Sequence, residues 1–477
     1  MYKHQLYLIK KSTTTLHHNK TLGTLSNQVR NVSNFTTPQL VKHLKRHHQH
    51  RGSIVFNYDQ IVSGEPKYKL SHSSMEPLLE YILSKNGADG HVNHQALFLE
   101  ISPVSQSLFG CFIHNTNRGL AQGNVDLWHY PNASEFVSDG LKQSEYAARK
   151  MALTNQFWGG GKGIIQTNPD LDYSNYEVRR TVMNEFGSFV SSLRGVFYAQ
   201  EGFGIQPNDM AHIFEKTRFT TSIPKKFGGN GNISPSFSSK IVINTMESAL
   251  SHVNLGNLSG KIVAIQGFNK ETEGIISSLL REKHSLKVIL TETDPLKIKT
   301  VKGLFAEEVN DQRLDVRLVF EDQDSILNLD VDILYPSSGT IFNSSNIPLV
   351  NAKIICGVSQ SQFEDASNER QLRENGVILI PSLLTKTSNF SAVNEIYGII
   401  PNNDPEITKM FSKDYEYSIY NTVKKVIELS EQNKISTQNA AFELADKKIN
   451  EPHPFIPLRG SQIIHSLVSD EWHLQLQ

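Results

Sequence analysis

The stretch that decides the fold is Gly260-Lys261-Ile262-Val263-Ala264-Ile265-Gln266-Gly267-Phe268. Its apolar run is short and bounded by glycine, which is typical of a strand buried on both faces. A helical pattern follows at Thr272–Lys283, and Leu286–Thr291 then predicts a second strand. A strand, a helix and a strand at this spacing predict a parallel, doubly wound sheet of the α/β class.

The same alternation continues downstream. Further strands are predicted at Val316–Phe320, Val331–Leu334, Lys353–Val358 and Val377–Ile380. In a sheet of this Rossmann type, a nucleotide binds where the first strand meets the N-terminus of the next helix. Glu292 ends the second strand about 25 residues after Gly267, in the region where an acid that binds ribose hydroxyls belongs. These features predict a dinucleotide-binding domain.

The first half of the chain has a different pattern. Strands are predicted at Ser53–Phe56, Ala96–Ile101, Gly110–Ile113 and Val196–Ala199, helices at Met75–Ser84, Ser134–Thr154 and Tyr176–Leu193, and a loop at His114–Asn124. Near the end of the chain, helices are predicted at Asp414–Gln432 and Thr437–Asn450, followed by a mixed tail. We therefore expect an N-terminal α/β domain over residues 53–230, a Rossmann-type domain over 231–410, and C-terminal helices over 411–477 that pack back on them.

A second signal is Gly159-Gly160-Gly161-Lys162. Glycines allow a turn and a close ligand approach, so this stretch is interpreted as a turn that directs the Lys162 amine into a cleft. Lys150 lies twelve residues upstream, on a predicted helix that could face the same space. Two lysines at one cleft suit a carboxylate substrate, and burial or mutual repulsion would lower a lysine pKa toward neutrality. A surface turn with a solvated lysine remains the alternative.

Composition excludes several classes of protein. The chain has 477 residues, enough for two or three domains, and a net charge of -1, which provides no overall basic footprint for nucleic acid. Its two cysteines, Cys111 and Cys356, argue against a disulfide scaffold or a cysteine-rich zinc site, and we expect no metal. No apolar stretch is long enough to predict a membrane span.

The N-terminus has its own composition. Residues 1–58 contain no Asp or Glu, and they are rich in basic, hydroxyl and histidine side chains. Such a composition predicts a mitochondrial transit peptide or a disordered basic tail over residues 1–52, and we expect a location in the mitochondrial matrix.

Taken in order from Ala96 to Asn450, the motifs resemble those of the glutamate/leucine/phenylalanine/valine dehydrogenase superfamily, and the leucine dehydrogenase branch most closely. The stretches that carry the resemblance are Ile113–Gly123 with Trp128 and Tyr130, Lys150 with Gly159–Lys162, Asn208–Met210, Gly231–Pro235, Gly260–Phe268, Ala352–Ile355 and Ile435–Ala441.

The resemblance implies a chemistry. The α-hydride of an L-amino acid, of the branched-chain or apolar type, passes to NAD, and the iminium is hydrolysed to a 2-oxo acid and ammonia. By position, Lys150 binds the substrate carboxylate and Lys162 activates water, while Gly123 and Asn124 line the pocket. The implied cofactor-binding residues are Gly267, Phe268, Asn269, Gly274 and Glu292. The family also implies a homo-oligomer.

Several positions depart from the family pattern. Counting forward from Ala199 places Glu201 at the catalytic aspartate, whereas counting back from Asp209 places Gly202 there. We assign Glu201 as the catalytic acid, with the glycine as the alternative. Asp126 stands where the family has arginine, and Lys386 begins the segment that corresponds to the family's Asn-Ala-Gly-Gly near the nicotinamide.

The phosphate-binding turn also departs from the family. Asn269 replaces its second glycine, and Glu271 and Glu273 place negative charge where a pyrophosphate would bind. Because the departures concentrate at the site and spare the scaffold, a second hypothesis is a catalytically impaired relative, such as a regulatory or binding protein on the same fold.

Overall fold

A computed structural model describes residues 35–47, 49–56, 68–85, 93–229, 235–281, 285–319, 323–337, 341–358, 363, 365–386 and 404–475. Predictions that concern residues 1–34, the linker at 231–234 and the segment 387–403 lie outside these ranges. Within them, no helix is both long and apolar enough to cross a membrane.

The first half of the chain forms a mixed seven-stranded sheet. Its strands are β1 (Arg51–Val55), β2 (Lys69–Leu70), β3 (Ala96–Ile101), β4 (Leu108–Asn115), β5 (Ala121–Trp128), β6 (Gly159–Gln166) and β7 (Phe197–Glu201). The order across the sheet is β2-β1-β3-β4-β6-β5-β7. Strands β6, β5 and β7 are parallel to one another, and the other neighbours pair antiparallel.

Helices cover both faces of this sheet. The first five are α1 (Thr37–Arg46), α2 (Glu76–Lys85), α3 (Ala133–Leu153), α4 (Tyr176–Ser192) and α5 (Pro207–Phe214). Apolar side chains of α1, α2 and α3 form a core on one face, around Phe112 and Ile164. Those of α4 and α5 form a core on the other face, around Val125 and Phe197. Neighbouring residues of one strand therefore point into different cores.

The second sheet is wholly parallel. Its strands are β8 (Ile262–Gln266), β9 (Lys287–Glu292), β10 (Leu314–Leu318), β11 (Ile333–Pro336), β12 (Ile354–Cys356) and β13 (Ile378–Ile380), in the order β10-β9-β8-β11-β12-β13. This is the order of a dinucleotide-binding Rossmann sheet, with its switch point between β8 and β11. The helices that accompany it are α6 (Pro235–His252), α7 (Lys270–Arg281), α8 (Pro295–Leu304), α9 (Ala306–Asn310), α10 (Ala366–Glu374) and α11 (Ser382–Thr385). The predicted fold class is confirmed.

The C-terminal segment packs back on both sheets. It contains α12 (Pro405–Lys409), α13 (Ile419–Asn433), α14 (Thr437–Ile449) and α15 (Arg459–Ser469). Apolar residues of α13 and α14 share a core with Ala148 and Ala152 of α3 and with the Rossmann strands. The tail, predicted to be mixed, folds as α15 and a final turn, and Trp472 of that turn is buried against β3 and α4.

A helix lies within the segment that was predicted to be a transit peptide or a disordered tail. Helix α1 lies within the range assigned to a transit peptide or tail, and Leu40 and Leu44 of this helix are buried. A capping box fixes its start, in which the Thr36 hydroxyl accepts a hydrogen bond from the Gln39 backbone N–H. The alternative of a disordered tail over all of residues 1–52 is therefore wrong for residues 37–46, whereas the transit peptide stays a prediction.

Two loop predictions also need correction. The predicted loop at 114–124 ends earlier, because β5 begins at Ala121. The predicted glycine turn at 159–161 is the start of β6, and none of these glycines has a positive φ. The glycines serve close packing: a Cβ added at Gly160 would lie 2.3 Å from both the Ala148 nitrogen and the Ser144 carbonyl oxygen of α3. Helix α3 can therefore rest directly on the β6 backbone.

This contact provides a stability test. We expect Gly160→Ala to lower the melting temperature by several degrees, because the clash involves helix backbone and costs about 1–3 kcal/mol of overpacking. Gly303→Ala is the matched control, since Gly303 lies in α8 with open space around its Cβ position. It should leave stability unchanged or raise it by up to about 1 kcal/mol. Equal melting temperatures for Gly160→Ala and the parent would contradict the described contact.

Candidate active site

The two lysines singled out from the sequence lie on the face of the first sheet that α3 covers. Lys162 is on β6, opposite Phe112 of β4, and its side chain is almost completely buried. Lys150 is in the last turn of α3. Because α3 rests on β6 at Gly160, the helix and the strand carry the two amines into one cluster. Burial lowers the pKa of Lys150, and repulsion from the charge of Lys162 lowers it further.

Burial lowers the pKa of Lys150 to about 8, and the positive charges of Lys386 and Lys162 add to the effect. Lys386 follows α11 of the Rossmann domain. Tyr146 of α3 holds this segment close, since its hydroxyl lies 3.1 Å from the Ser382 hydroxyl. The cluster therefore joins both domains, and Lys386 is a member that we had not assigned as a site residue. The sequence offered one signal that Lys386 belongs to the site: it stands at a position where the chain departs from the family pattern.

Lys386 also faces the cofactor side of the cleft. Burial lowers its pKa, whereas the negative charge of Glu271 on α7 raises it in part. Burial raises the pKa of Glu271, against the effect of Lys386. The charges of Lys386 and Glu271 therefore act on each other between the lysine cluster and the N-terminal turn of α7.

Asp126 of β5 is the acid that meets Lys162. Its Oδ2 atom lies 2.5 Å from the Lys162 Nζ, and the side chain keeps 19% of its exposure. Its Oδ1 atom accepts a hydrogen bond of 2.9 Å from the Phe203 backbone N–H. Both oxygens are therefore oriented by the protein.

Glu201 points to the other side of the sheet. It lies opposite Val125 in the parallel β5–β7 pairing, and Val125 belongs to the core under α4 and α5. Burial raises the pKa of Glu201, and the negative charge of Asp209 on α5 raises it further. Alternation along the strand thus places Glu201 and Lys162 on opposite faces of the sheet, so the structure does not bring the predicted catalytic acid to the lysines.

The predicted pocket residues of β5 differ in their roles. A Cβ at Gly123 would lie 1.7 Å from the Gly161 carbonyl oxygen, so strand packing alone requires this glycine. Asn124 alternates onto the same face as Asp126 and Gln122. Gln122 is fully buried, and neither polar atom of its amide has a hydrogen-bond partner among the residues that the structure describes. A buried amide with unsatisfied hydrogen-bonding groups costs free energy. It therefore suits a site in which a polar group of a ligand supplies the hydrogen bonds.

The predicted cofactor residues meet at the C-terminal end of β8. Gly267 takes a φ of 81°, which favours glycine, and Phe268 donates its backbone N–H to Glu292 Oε2 at 2.7 Å. Burial acts to raise the pKa of Glu292, but backbone hydrogen bonds and Lys297 outweigh it and lower this pKa below its usual value. Gly267, Phe268, Asn269, Glu292 and Lys297 line a cavity of about 260 Å³. Gly274 lies within α7.

The side chain of Asn269 caps the end of this turn at which a phosphate would bind. Asn269 Oδ1 accepts hydrogen bonds from the backbone N–H groups of Glu271 (2.9 Å) and Thr272 (3.0 Å). In return, the Asn269 N–H donates to the Thr272 hydroxyl at 2.8 Å. Two of the helix amides that a dinucleotide-binding domain offers to a pyrophosphate are thus already satisfied.

No family model matches the chain. The chain is 28% identical to the L-tryptophan dehydrogenase of Nostoc punctiforme over 340 residues, covering 71% of this chain and 88% of that protein. It is 27% identical to the phenylalanine dehydrogenase of Lysinibacillus sphaericus, with coverages of 75% and 89%, and 26% identical to the leucine dehydrogenase of Geobacillus stearothermophilus, with coverages of 71% and 85%.

Solved structures agree. The L-tryptophan dehydrogenase from Nostoc punctiforme superposes with a TM-score of 0.62 at 25% identity, over 75% of this chain and 96% of that one. The hetero-hexameric glutamate dehydrogenase from Thermus thermophilus shares the fold, with a TM-score of 0.56 at 14% identity, over 92% and 98%. Both comparisons support the glutamate/leucine/phenylalanine/valine dehydrogenase superfamily for this chain. The resemblance inferred from the sequence is confirmed at the level of the superfamily. The relatives of the chain are amino-acid dehydrogenases.

Within this superfamily, the cofactor site of the chain fits a nicotinamide dinucleotide in part. The nucleoside half fits, because Gly267, Phe268 and Glu292 provide the tight turn, the open cavity and the ionised acid. The pyrophosphate half has to displace the Asn269 cap and tolerate the acids of the first turn of α7. The superfamily relationship does not distinguish NAD from NADP.

The lysine cluster provides a test that is independent of activity. We expect the Lys150 amine to be acetylated by acetic anhydride with a midpoint near pH 8, because burial and two like charges favour the neutral amine. The measurement is the pH dependence of labelling, followed by peptide mass spectrometry. Lys386→Met removes one like charge and should move the midpoint to higher pH. A midpoint at the ordinary value of 10.5 would contradict the cluster.

Proposed function

We propose that the protein is a nicotinamide-dinucleotide-dependent dehydrogenase that oxidatively deaminates an L-amino acid to a 2-oxo acid and ammonia. The observation that carries the proposal is the convergence of Lys150 and Lys162 on one face of the first sheet, next to Lys386 of the Rossmann domain. Such a concentration of positive charge requires an anion, and a substrate carboxylate meets that need.

The two lysines have different tasks. Lys150 is largely an ammonium ion at neutral pH, since its pKa is about 8, and it binds the substrate carboxylate. Lys162 is buried and fixed by Asp126, so its charge stabilises the oxygen that develops when water adds to the imine carbon. When bound next to Gly267, Phe268 and Glu292, NAD(P) supplies the acceptor for the α-hydride. We propose NAD as the cofactor, following the family resemblance.

The resemblance favours a branched-chain or apolar substrate. Gln122 adds a second possibility, because its buried amide, on the face that carries Asn124 and Asp126, has no hydrogen-bond partner within the described part of the chain. A substrate side chain with a hydrogen-bonding group would satisfy that amide. The substrate survey therefore needs polar and aromatic amino acids beside the apolar ones.

A second candidate function is a relative that binds a ligand without turnover. The self-capped turn at Asn269 and the acids Glu271 and Glu273 are the observations that favour it. This candidate predicts binding of an amino acid or 2-oxo acid and no formation of NAD(P)H.

We also propose that the protein is a homo-oligomer in the mitochondrial matrix.

Turnover separates the two candidates. We expect the full chain, mixed with NAD+ or NADP+ and a panel of L-amino acids, to form reduced cofactor, measured by its absorbance. Lys162→Met should lower kcat by roughly 100- to 10,000-fold, because it removes a group that acts in the transition state. Lys150→Met should chiefly raise KM, by about 10- to 100-fold, because it removes a charge-assisted contact to the carboxylate.

Lys142→Met is the matched control for both lysines, since Lys142 is exposed on the same helix α3. It should retain the kcat and KM of the parent. An absence of reduced cofactor with every amino acid and both cofactors would overturn the dehydrogenase proposal and favour the binding protein.

The Asn269 cap makes a separate prediction. Asn269→Gly should tighten binding of the oxidised cofactor about tenfold, because the freed amides can donate to the pyrophosphate while glycine is tolerated at a helix N-terminus. Titration calorimetry measures the affinity. Asn175→Gly, which removes the equivalent cap of α4, is the control and should leave cofactor affinity unchanged. Weaker binding by Asn269→Gly would show that the asparagine contacts the cofactor instead.

A further inference from the structure

One count along the sequence places Gly202 where the family has its catalytic aspartate, and the structure shows what surrounds that position. An ideal Cβ at Gly202 would lie 2.3 Å from Asp126 Oδ1 and 2.4 Å from the Val125 carbonyl oxygen. The Asp126 carboxylate therefore occupies the space that a side chain at position 202 would enter. An acid is present at this point of the cleft, but it projects from β5 and not from β7.

The surroundings of Asp126 suit a proton carrier. One oxygen is held by the Phe203 N–H, and the other is next to the Lys162 amine. The side chain keeps partial exposure, whereas Lys162 beneath it is buried. A carboxylate that is held at both oxygens and keeps partial exposure can exchange a proton without losing its orientation.

We infer that Asp126 is the proton-relay residue of this site and replaces the acid that the superfamily places on the neighbouring strand. In the sequence, the acid at position 126 and the glycine at position 202 look like two separate departures from the family. They are then one change, in which the acid has moved from β7 to the neighbouring strand β5. The acidic residue at 126 needs the glycine at 202, because any larger residue there would displace the carboxylate. This inference rests on the proposed dehydrogenase function and assigns the residue that moves its protons.

The proton balance fits one carboxylate. As water adds to the iminium carbon, its oxygen forms the new bond and Asp126 accepts one proton. Asp126 returns that proton to the nitrogen of the carbinolamine. The carbon–nitrogen bond then breaks with its electron pair on nitrogen, while the hydroxyl proton passes to Asp126 and the oxo group forms. Transfer of this proton to ammonia regenerates the carboxylate and releases ammonium.

The test compares Asp126 with Glu201 in the full chain. Asp126→Asn keeps an oxygen for the Phe203 N–H and removes the titratable group, so it should fold normally and lose kcat by roughly 100- to 10,000-fold with little change in KM. Its residual activity should also lose the acidic limb of the pH profile of kcat. Glu201→Gln is the matched control and should retain kcat within about threefold, because Glu201 lies on the other face of the sheet.

Chemical rescue distinguishes proton transfer from a structural role. Asp126→Ala leaves a space beside Gly202, and added formate should raise its kcat about tenfold or more while it leaves the parent unchanged. Full activity in Asp126→Asn, no rescue of Asp126→Ala, or loss of activity in Glu201→Gln would each overturn the inference while parental turnover upholds the dehydrogenase. Absence of turnover in the parent would overturn the dehydrogenase proposal, and this inference with it.

Discussion

The backbone contact between α3 and β6 at Gly160 is the constraint on which the rest of the structure depends. The helix lies so close to the strand that no Cβ fits between them. This contact sets the position of Lys150 relative to Lys162. It also presents Ala148 and Ala152 to the core shared with α13 and α14, so the two sheets are joined through one helix. A change in this contact would therefore alter both the site and the connection between the domains.

The site concentrates like charges and compensates them only in part. Asp126 pairs with Lys162, and the negative charge of Glu271 acts on Lys386. Burial, and then the charges of Lys386 and Lys162, lower the pKa of Lys150 to about 8. Buried charge of one sign is unfavourable unless a counterion arrives. The cluster is thus poised for an anionic ligand. The two acids also explain how three lysines can be placed near one another in a folded protein.

The two halves of the cleft differ in how closely they follow their superfamily. On the substrate side, the lysines stand where the sequence places them, and an acid lies at the expected point although a different strand provides it. On the cofactor side, the sheet order and Glu292 fit a dinucleotide, whereas Asn269 caps the helix that would bind the pyrophosphate. Helix capping and phosphate binding use the same N–H groups, so they compete. The affinity for cofactor is consequently the property on which the two candidate functions differ most.

The sequence by itself determined the parallel Rossmann sheet, because buried strands and amphipathic helices have local periodicities that can be read along the chain. It also identified Lys150, Lys162 and Glu292 as candidates from spacing and resemblance. Only the tertiary structure decided that Gly159–Gly161 belong to a strand, since glycine signals a turn and a close contact alike. Likewise, only strand register shows that Asp126, and not Glu201, lies on the face of the sheet that carries Lys162. Alternation sends neighbouring side chains to opposite faces, so a shift of one residue, invisible to a count along the chain, separates an acid in the cleft from one behind the sheet.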